Sequence, residues 1–282
     1  MHLVHGPART MRWIKAALAA AGLAAGLAGC VSSGGGAPQR PPLRNDGSDI
    51  KTASDQTNAD RLAATRMELA VGYFGRGQLK DALDQVKLAL QATPDNANAY
   101  SLRGLIYGAL GDADKADESF RRALQLAPHD ADIMHNYAWF MCQQNRFGDA
   151  EAQFARAMAE PGYRSVPRTL LAEGVCQARA GRPQDAERTL THAYELDPAN
   201  PTTAVNLSEI LYRNGQYERA RFYVRRVNNR PELMNAQTLW LAARIEHKLG
   251  REEQVQELGE QLHKRFSQSP ETLLFEKGKF DE

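Results

Sequence analysis

The sequence predicts an all-α protein, a right-handed superhelical solenoid of about six repeats with a C-terminal capping helix. The first observation is a period of 34 residues. It relates Pro94 to Pro128, Gly77 to Gly111, and Tyr73 to Tyr107. The second is an alanine-rich composition with only 7% aromatic residues, which favours helix because Ala loses no side-chain entropy there. A generic helical bundle is the alternative, but several residue types stay in phase over at least five units.

The repeat units begin at residues 63, 97, 131, 167 and 201 and near residue 236. The third unit carries a small insertion near Pro161. The sixth is the most degenerate, as expected for a terminal repeat whose outer face meets water. Ser269-Pro270-Glu271 then begins a short final helix, which we expect to act as a cap.

Each recurring residue type has a mechanical reason. Small residues let the two helices of a unit approach closely. They are Ala70, Gly104, Ala138 and Gly174 in the first helices and Ala82, Ala116, Ala150, Ala186 and Ala220 in the second helices. Turn residues that tolerate a left-handed backbone end the first helices. They are Gly77, Gly111, Asn145, Gly181 and Gly215. Prolines at 94, 128 and 198 stop second helices.

The order of these residue types resembles the tetratricopeptide-repeat family. In that family the second, fifth, ninth and twelfth or thirteenth positions of each unit line a groove, so the resemblance implies a set of partner-binding residues. They are Met67, Val71, Phe74, Leu105, His135, Trp139, Leu171 and Val175. An exposed apolar groove usually marks a partner site, with Trp139 as the expected anchor. Alternatively, these side chains simply pack between helices or under the N-terminal tether.

The N-terminus has the anatomy of a secretory signal over residues 1–30. Arg12 and Lys15 precede an apolar run, and Leu27-Ala28-Gly29-Cys30 resembles the bacterial lipobox, in which the cysteine is lipidated. An ordinary signal peptide with a chance cysteine is the alternative. By resemblance, Val31 after the cysteine implies sorting to the outer membrane. Met11 fits a signal better than Met1 does, so we expect it to be the true start.

The segment that follows is rich in Ser, Gly, Pro, Asp and Asn, and it buries too little apolar surface to order itself. We therefore expect a flexible tether over residues 31–60 and a repeat domain over residues 61–282. In this organisation the N-terminal lipid holds the chain at the outer membrane, on the periplasmic side.

Cys142 and Cys176 lie on the first helices of adjacent units, within reach of a bridge. In an oxidising periplasm a disulfide between them is expected, and two buried thiols are the alternative. The histidines show no metal-ligand spacing, so we expect neither a metal nor a cofactor.

The 35 Lys and Arg residues nearly balance the 34 Asp and Glu residues, which argues against nucleic-acid binding. No catalytic motif is recognisable, so we expect neither an enzyme nor a small-molecule substrate. A basic run surrounds the second helix of the fifth unit: Arg219, Arg221, Arg225, Arg226 and Arg230. It fits either a solvated face or an acidic partner.

Six repeats behind a lipobox resemble the type IV pilus biogenesis lipoproteins called PilF or PilW. The resemblance is most distinctive over residues 135–142, 150–154 and 206–212, and the cysteine pair also fits it. It implies a pilotin, which binds the pilus secretin and promotes its outer-membrane localisation and multimer assembly. Two alternatives remain: a scaffold lipoprotein of outer-membrane barrel assembly, and a scaffold of peptidoglycan enzymes.

Overall fold

The structure is a computed structural model that describes residues 56–281. Over these residues the chain is all-helical, with thirteen α-helices and no strand. The helices are α1 (Asn58–Gly75), α2 (Leu79–Ala92), α3 (Ala97–Leu110), α4 (Ala113–Leu126), α5 (Ala131–Gln143), α6 (Phe147–Ala159), α7 (Val166–Arg179), α8 (Pro183–Leu196), α9 (Pro201–Arg213), α10 (Tyr217–Asn228), α11 (Ala236–Lys248), α12 (Glu252–Phe266) and α13 (Pro270–Glu276). The predicted signal, Cys30 and most of the tether lie outside the described residues.

Helix α1 begins at Asn58, inside the segment that the sequence assigned to the tether. Thr57 and Asp60 explain the difference. The Thr57 hydroxyl accepts a hydrogen bond from the Asp60 backbone N–H at 3.1 Å, and the Asp60 carboxylate accepts one from the Thr57 N–H at 2.9 Å. This reciprocal capping box satisfies two N–H groups that the helix itself leaves unpaired, and so extends the helix by a turn.

The chain forms two compact units, one ending at Pro94 and the other beginning at Asp95. In the described residues the first unit is a single helical pair, α1 with α2. The second contains four complete pairs, α3–α4, α5–α6, α7–α8 and α9–α10, followed by α11–α12 and the short helix α13. Each unit is described by itself.

Every pair turns at the residue type that the period predicts. Gly111 ends α3 with φ of 82°, and Asn145 has φ of 61° at the equivalent place after α5. Asn145 is the only residue other than glycine with positive φ among those described. Asn tolerates this left-handed conformation better than most side chains do, which explains its use where other pairs have Gly.

Close approach within each pair depends on small residues. The alanines at the start of the second helices, Ala82, Ala116, Ala150, Ala186 and Ala220, are fully buried. A Cβ placed on Gly104 would lie 2.8 Å from the Phe120 ring, and one on Gly174 would lie 2.6 Å from Leu190 Cγ. Phe120 and Leu190 are themselves fully buried, so the glycines leave room for the largest side chains of the facing helix.

The first helices of residues 95–281 lie side by side, because α3 contacts α5, α5 contacts α7, α7 contacts α9 and α9 contacts α11. No second helix lies within 8 Å, Cα to Cα, of another second helix in this part of the chain. Each second helix instead contacts the first helix of the next pair. The first helices therefore form the closely spaced layer, and the second helices form the more widely spaced layer.

Ion pairs join the second helix of one pair to the turn of the next. In α4, Asp117 Oδ1 accepts a hydrogen bond from Arg146 Nη1 at 2.8 Å. Glu151 pairs with Arg182 and Glu218 pairs with Arg251 in the same way, while Glu187 accepts a hydrogen bond from the neutral Gln216 of the turn and pairs with Arg219 on α10. The last junction carries an additional pair with exchanged charges, since Arg221 in α10 donates to buried Glu246 in α11 at 2.7 Å, and Glu246 also lies 3.9 Å from Arg251.

Asp117 is the most enclosed of the acids that the second helices contribute to this series. Burial opposes its ionisation, but hydrogen bonds from Tyr137, Arg146 and Arg121 outweigh burial and hold the pKa of Asp117 below its usual value. The Tyr137 hydroxyl donates to Asp117 Oδ1 at 2.6 Å. The carboxylate thus stays charged, and its partners come from both the same helix and the next pair.

The predicted capping helix is α13, which packs against α11 and α12. Its Phe275 and the following Phe280 join Trp240 in an aromatic cluster, with the Trp240 and Phe280 ring centroids 5.3 Å apart. Apolar side chains of the last pair are thereby covered by the chain's own C-terminal segment.

We predict that Gly174→Ala destabilises the fold by about 1–3 kcal/mol, because its methyl group must displace Leu190 from a filled space. Gly148→Ala in α6 is the matched control, since nothing lies within 4 Å of its added Cβ. The control should be neutral or stabilising by up to about 1 kcal/mol. Urea unfolding followed by circular dichroism measures both. Equal stability of the two variants would contradict the packing argument.

Candidate partner-binding face

The closely spaced layer presents one side made only of first helices, which we call the first-helix face. In residues 95–281 it carries Leu105 on α3, Trp139 on α5, and Leu171 and Val175 on α7. All four side chains are partly buried. Leu105 and Trp139 pack against the core around Phe120 and Phe154, and Leu171 packs against the core of the next pairs. These four residues can offer a partner only the part of each side chain that the core leaves exposed.

His135 is not part of this exposed surface, although the repeat positions place it there. It is buried, and its Nδ1 lies 2.9 Å from the hydroxyl oxygen of Thr169 on α7. The Tyr163 hydroxyl lies 2.7 Å from the same Thr169 oxygen. Burial, with a smaller contribution from the charge of Arg168, lowers the pKa of His135 to about 3. The ring is therefore neutral at physiological pH and links α5 to α7.

Cys142 and Cys176 form a disulfide between α5 and α7 in the structure. Their Cα atoms are 5.8 Å apart, a usual separation for a bridge. Both residues are buried. With the hydrogen bond between His135 and Thr169, the disulfide ties the two helices together at two levels beneath the first-helix face.

The first compact unit carries its own apolar stripe on α1. Met67, Val71 and Phe74 are spaced i, i+4 and i+7, so they share one side of the helix. Val71 is 57% exposed, while Met67 and Phe74 are partly buried. An exposed valine between two partly exposed large side chains is a surface that an apolar segment can cover.

The C-terminal segment bounds the first-helix face at the last pairs. The carbonyl oxygen of Phe280 accepts hydrogen bonds from the Tyr212 hydroxyl on α9 at 3.4 Å and from Arg244 Nε on α11 at 3.2 Å. The Phe280 ring stacks on His247, with centroids 4.3 Å apart. Tyr212 belongs to the groove positions of the fifth unit, so the chain itself covers that end.

The described residues contain no cluster of three or more His, Cys, Asp or Glu side chains that could hold a metal ion. Between residues 56 and 281, no helix is both long and apolar enough to cross a bilayer. The first-helix face and the α1 stripe each offer apolar contact area.

Comparison with known proteins agrees with this architecture. Two family models described as tetratricopeptide repeat match, one over residues 67–131 and 142–201 and the other over residues 109–165 and 177–232. A crystal structure of PilW, a widely conserved type IV pilus biogenesis factor, is 32% identical with a TM-score of 0.68. The alignment covers 76% of this chain and 97% of PilW. The chain belongs to the tetratricopeptide-repeat family and is related to the pilus proteins PilF and PilW.

Two further matches concern PilF of Pseudomonas aeruginosa. The type IV pilus assembly protein PilF is 26% identical over 201 residues, which cover 71% of this chain and 74% of PilF. A solved PilF structure has a TM-score of 0.64 at 23% identity and covers 79% of this chain and all of PilF. At that identity the solved PilF structure supports the tetratricopeptide fold only.

Sequence reasoning missed two residues that shape the first-helix face. Thr169 is fully buried and holds His135, but a lone threonine in a helix gives no signal of its partner. Phe280 closes the face at the last repeats, and its signal was available, because it is the only apolar residue in the polar sequence that follows Glu276.

We predict that the disulfide stabilises the tetratricopeptide fold by roughly 3–4 kcal/mol, since it closes a loop spanning a sequence separation of 34. Reducing agent should lower the urea midpoint of the protein and leave a Cys142→Ala/Cys176→Ala variant unchanged. Thiol titration of the unfolded Cys30→Ser chain should find no reactive thiol before reduction. Two reactive thiols at that stage would rule the bridge out.

Proposed function

We propose that this chain acts in type IV pilus biogenesis as an outer-membrane lipoprotein of the pilotin kind. In this role it binds the pilus secretin and promotes its localisation and multimer assembly. The observation that carries the proposal is the match to PilW, which extends over 97% of that protein at 32% identity. The match to PilF of Pseudomonas aeruginosa supports the same process.

The geometry suits a binding role. Helical-repeat stacks bind partners through extended surfaces, because each repeat adds its side chains to a continuous layer. Here the disulfide and the His135–Thr169 hydrogen bond fix α5 against α7, so little conformational entropy remains to be lost when a segment docks over Trp139 and Leu171. The α1 stripe around Val71 adds a second apolar contact surface.

We place secretin contact at the α1 stripe and at Trp139. Val71→Asp puts a charge into the most exposed position of the stripe and should weaken capture of the secretin subunit about tenfold or more. Leu88→Asp is the matched control, since Leu88 is a 38% exposed apolar residue on α2 of the same unit. Capture of secretin by the purified chain from solubilised outer membranes measures the effect.

Trp139→Ala extends this experiment to the first-helix face. Trp139 packs against the core, so this change should also lower stability, and circular dichroism must accompany the capture assay. Recovery of cell-wall enzymes or barrel-assembly proteins without secretin would overturn the pilotin proposal. Equal secretin capture by Val71→Asp and Leu88→Asp would contradict a role of the α1 stripe in secretin binding.

Lipidation of Cys30 gives an independent test of localisation. Cys30→Ser removes the thiol that would carry the lipid, so the variant should be lost from the outer-membrane fraction. Secretin multimers should then fall in the outer membrane, as measured by fractionation and immunoblotting. An unchanged membrane fraction for the variant would contradict a lipid anchor at this cysteine.

A further inference from the structure

Helix α10 has a basic and aromatic outer side that the proposed function does not use. Its buried residues Ala220, Val224 and Val227 define the inner side. Phe222, Arg225 and Arg226 lie on the opposite side, given 100° per residue. Together with Arg230 just beyond the helix end, these three exposed residues form what we call the α10 patch.

The arginines of the basic run divide into two groups. Arg219 is paired with Glu187, and Arg221 is paired with Glu246, so both have structural partners. No ion pair with a carboxylate engages Arg225, Arg226 or Arg230 anywhere in residues 56–281. Arg226 instead lies over the ring of Phe222, with its Cζ 5.6 Å from the centroid. Three guanidinium groups therefore keep their charge and donors available for a partner.

Phe222 supplies apolar contact area at the centre of the patch. It is 54% exposed and is the one aromatic residue among the exposed large apolar side chains of residues 56–281. Its ring is held from one side, since it lies edge to face with Tyr223 at a centroid distance of 5.1 Å, and Tyr223 in turn contacts Tyr194 of α8 at 4.9 Å. The aromatic side chain is thus contacted by Tyr223 and by Arg226, and about half of it stays exposed.

A cleft of about 230 Å³ opens beside the patch and is continuous with it, because Arg226 and Arg230 line both. The rest of its wall includes Tyr194, Pro198 and Leu233. Cavities of roughly 150 Å³ hold a benzene ring, so this cleft has room for one large side chain. Asn200 and Asn229 also line the cleft, so apolar surface, side-chain amides and two guanidinium groups meet there, a combination that suits an apolar residue flanked by carboxylates.

We propose that the α10 patch and its cleft form a second docking site, which binds an acidic peptide segment carrying an aromatic or large aliphatic residue. The guanidinium fork matches carboxylate geometry, and charge complementarity would orient the segment along α10. A membrane surface is disfavoured, because the chain has a formal net charge of +1 and the patch exposes a single large apolar side chain. The site lies on a second helix, separate from the first-helix face.

The test uses the full-length chain in detergent and a fluorescein-labelled twelve-residue peptide of Asp, Glu and Gly with one central Phe. Fluorescence anisotropy should show binding that weakens with salt. Arg225→Glu/Arg226→Glu/Arg230→Glu should weaken it about tenfold or more, because three attractive pairs become repulsive. Phe222→Ala should weaken it less. A peptide with Asn and Gln in place of the acids should bind about tenfold more weakly than the acidic one.

Lys80→Glu/Arg164→Glu/Lys264→Glu is the matched control, since it changes the same total charge at three exposed positions away from α10. Wild-type affinity in this control supports the site. An equal loss in the control would show a general charge effect and overturn the proposal. Equal binding of the acidic and neutral peptides would also overturn the proposal. Binding of short-chain phosphatidylglycerol at the α10 patch, without binding of the acidic peptide, would overturn it as well.

Discussion

The close approach of the two helices in each pair is the constraint on which the rest of the structure depends. Gly104 and Gly174 leave the space that Phe120 and Leu190 fill, and buried alanines do the same from the second helices. Because interiors pack as densely as organic crystals, a methyl group added at either glycine must displace the facing side chain. The spacing within pairs then sets how the first helices meet one another and what side chains their common face presents.

Polar contacts between successive helical pairs determine how neighbouring pairs align. Packing of apolar side chains tolerates small slips, whereas the carboxylate of Asp117 is satisfied only where Tyr137 and Arg146 meet it. Such a group is costly to bury without its partners, so it penalises alternative alignments of neighbouring pairs more than it strengthens the native one. Apolar contact thus drives the stacking, and the buried acids specify its register.

The repeat architecture, the turn residues and the small positions were predictable from sequence because they follow from local geometry repeated with one period. Asn145 illustrates this, since the sequence pattern assigned it to the turn after α5, where other pairs have Gly, and it has the positive φ expected there. The exposure of groove positions was not predictable in the same way. His135 is buried beside Phe154 of α6 and Thr169 of α7, and Phe280 reaches Tyr212 across a sequence separation of 68. Both contacts depend on the identity of single side chains, which the period alone does not determine.

The exchanged charges at the last junction have a consequence for how this chain can vary in length. Removing the third unit would bring Asp117 opposite Arg182, an acid and a base as before. Removing the fifth would take Arg221 away from buried Glu246 and bring Glu187 toward it, so that two carboxylates would share Arg251, which lies 3.9 Å from Glu246. These ion pairs alone therefore tolerate loss of the third unit, although that loss would also remove Cys142 and its disulfide, whereas they penalise loss of the fifth unit. The repeats share one backbone outline, but the ion pairs between successive helical pairs restrict the order in which the repeats can follow one another.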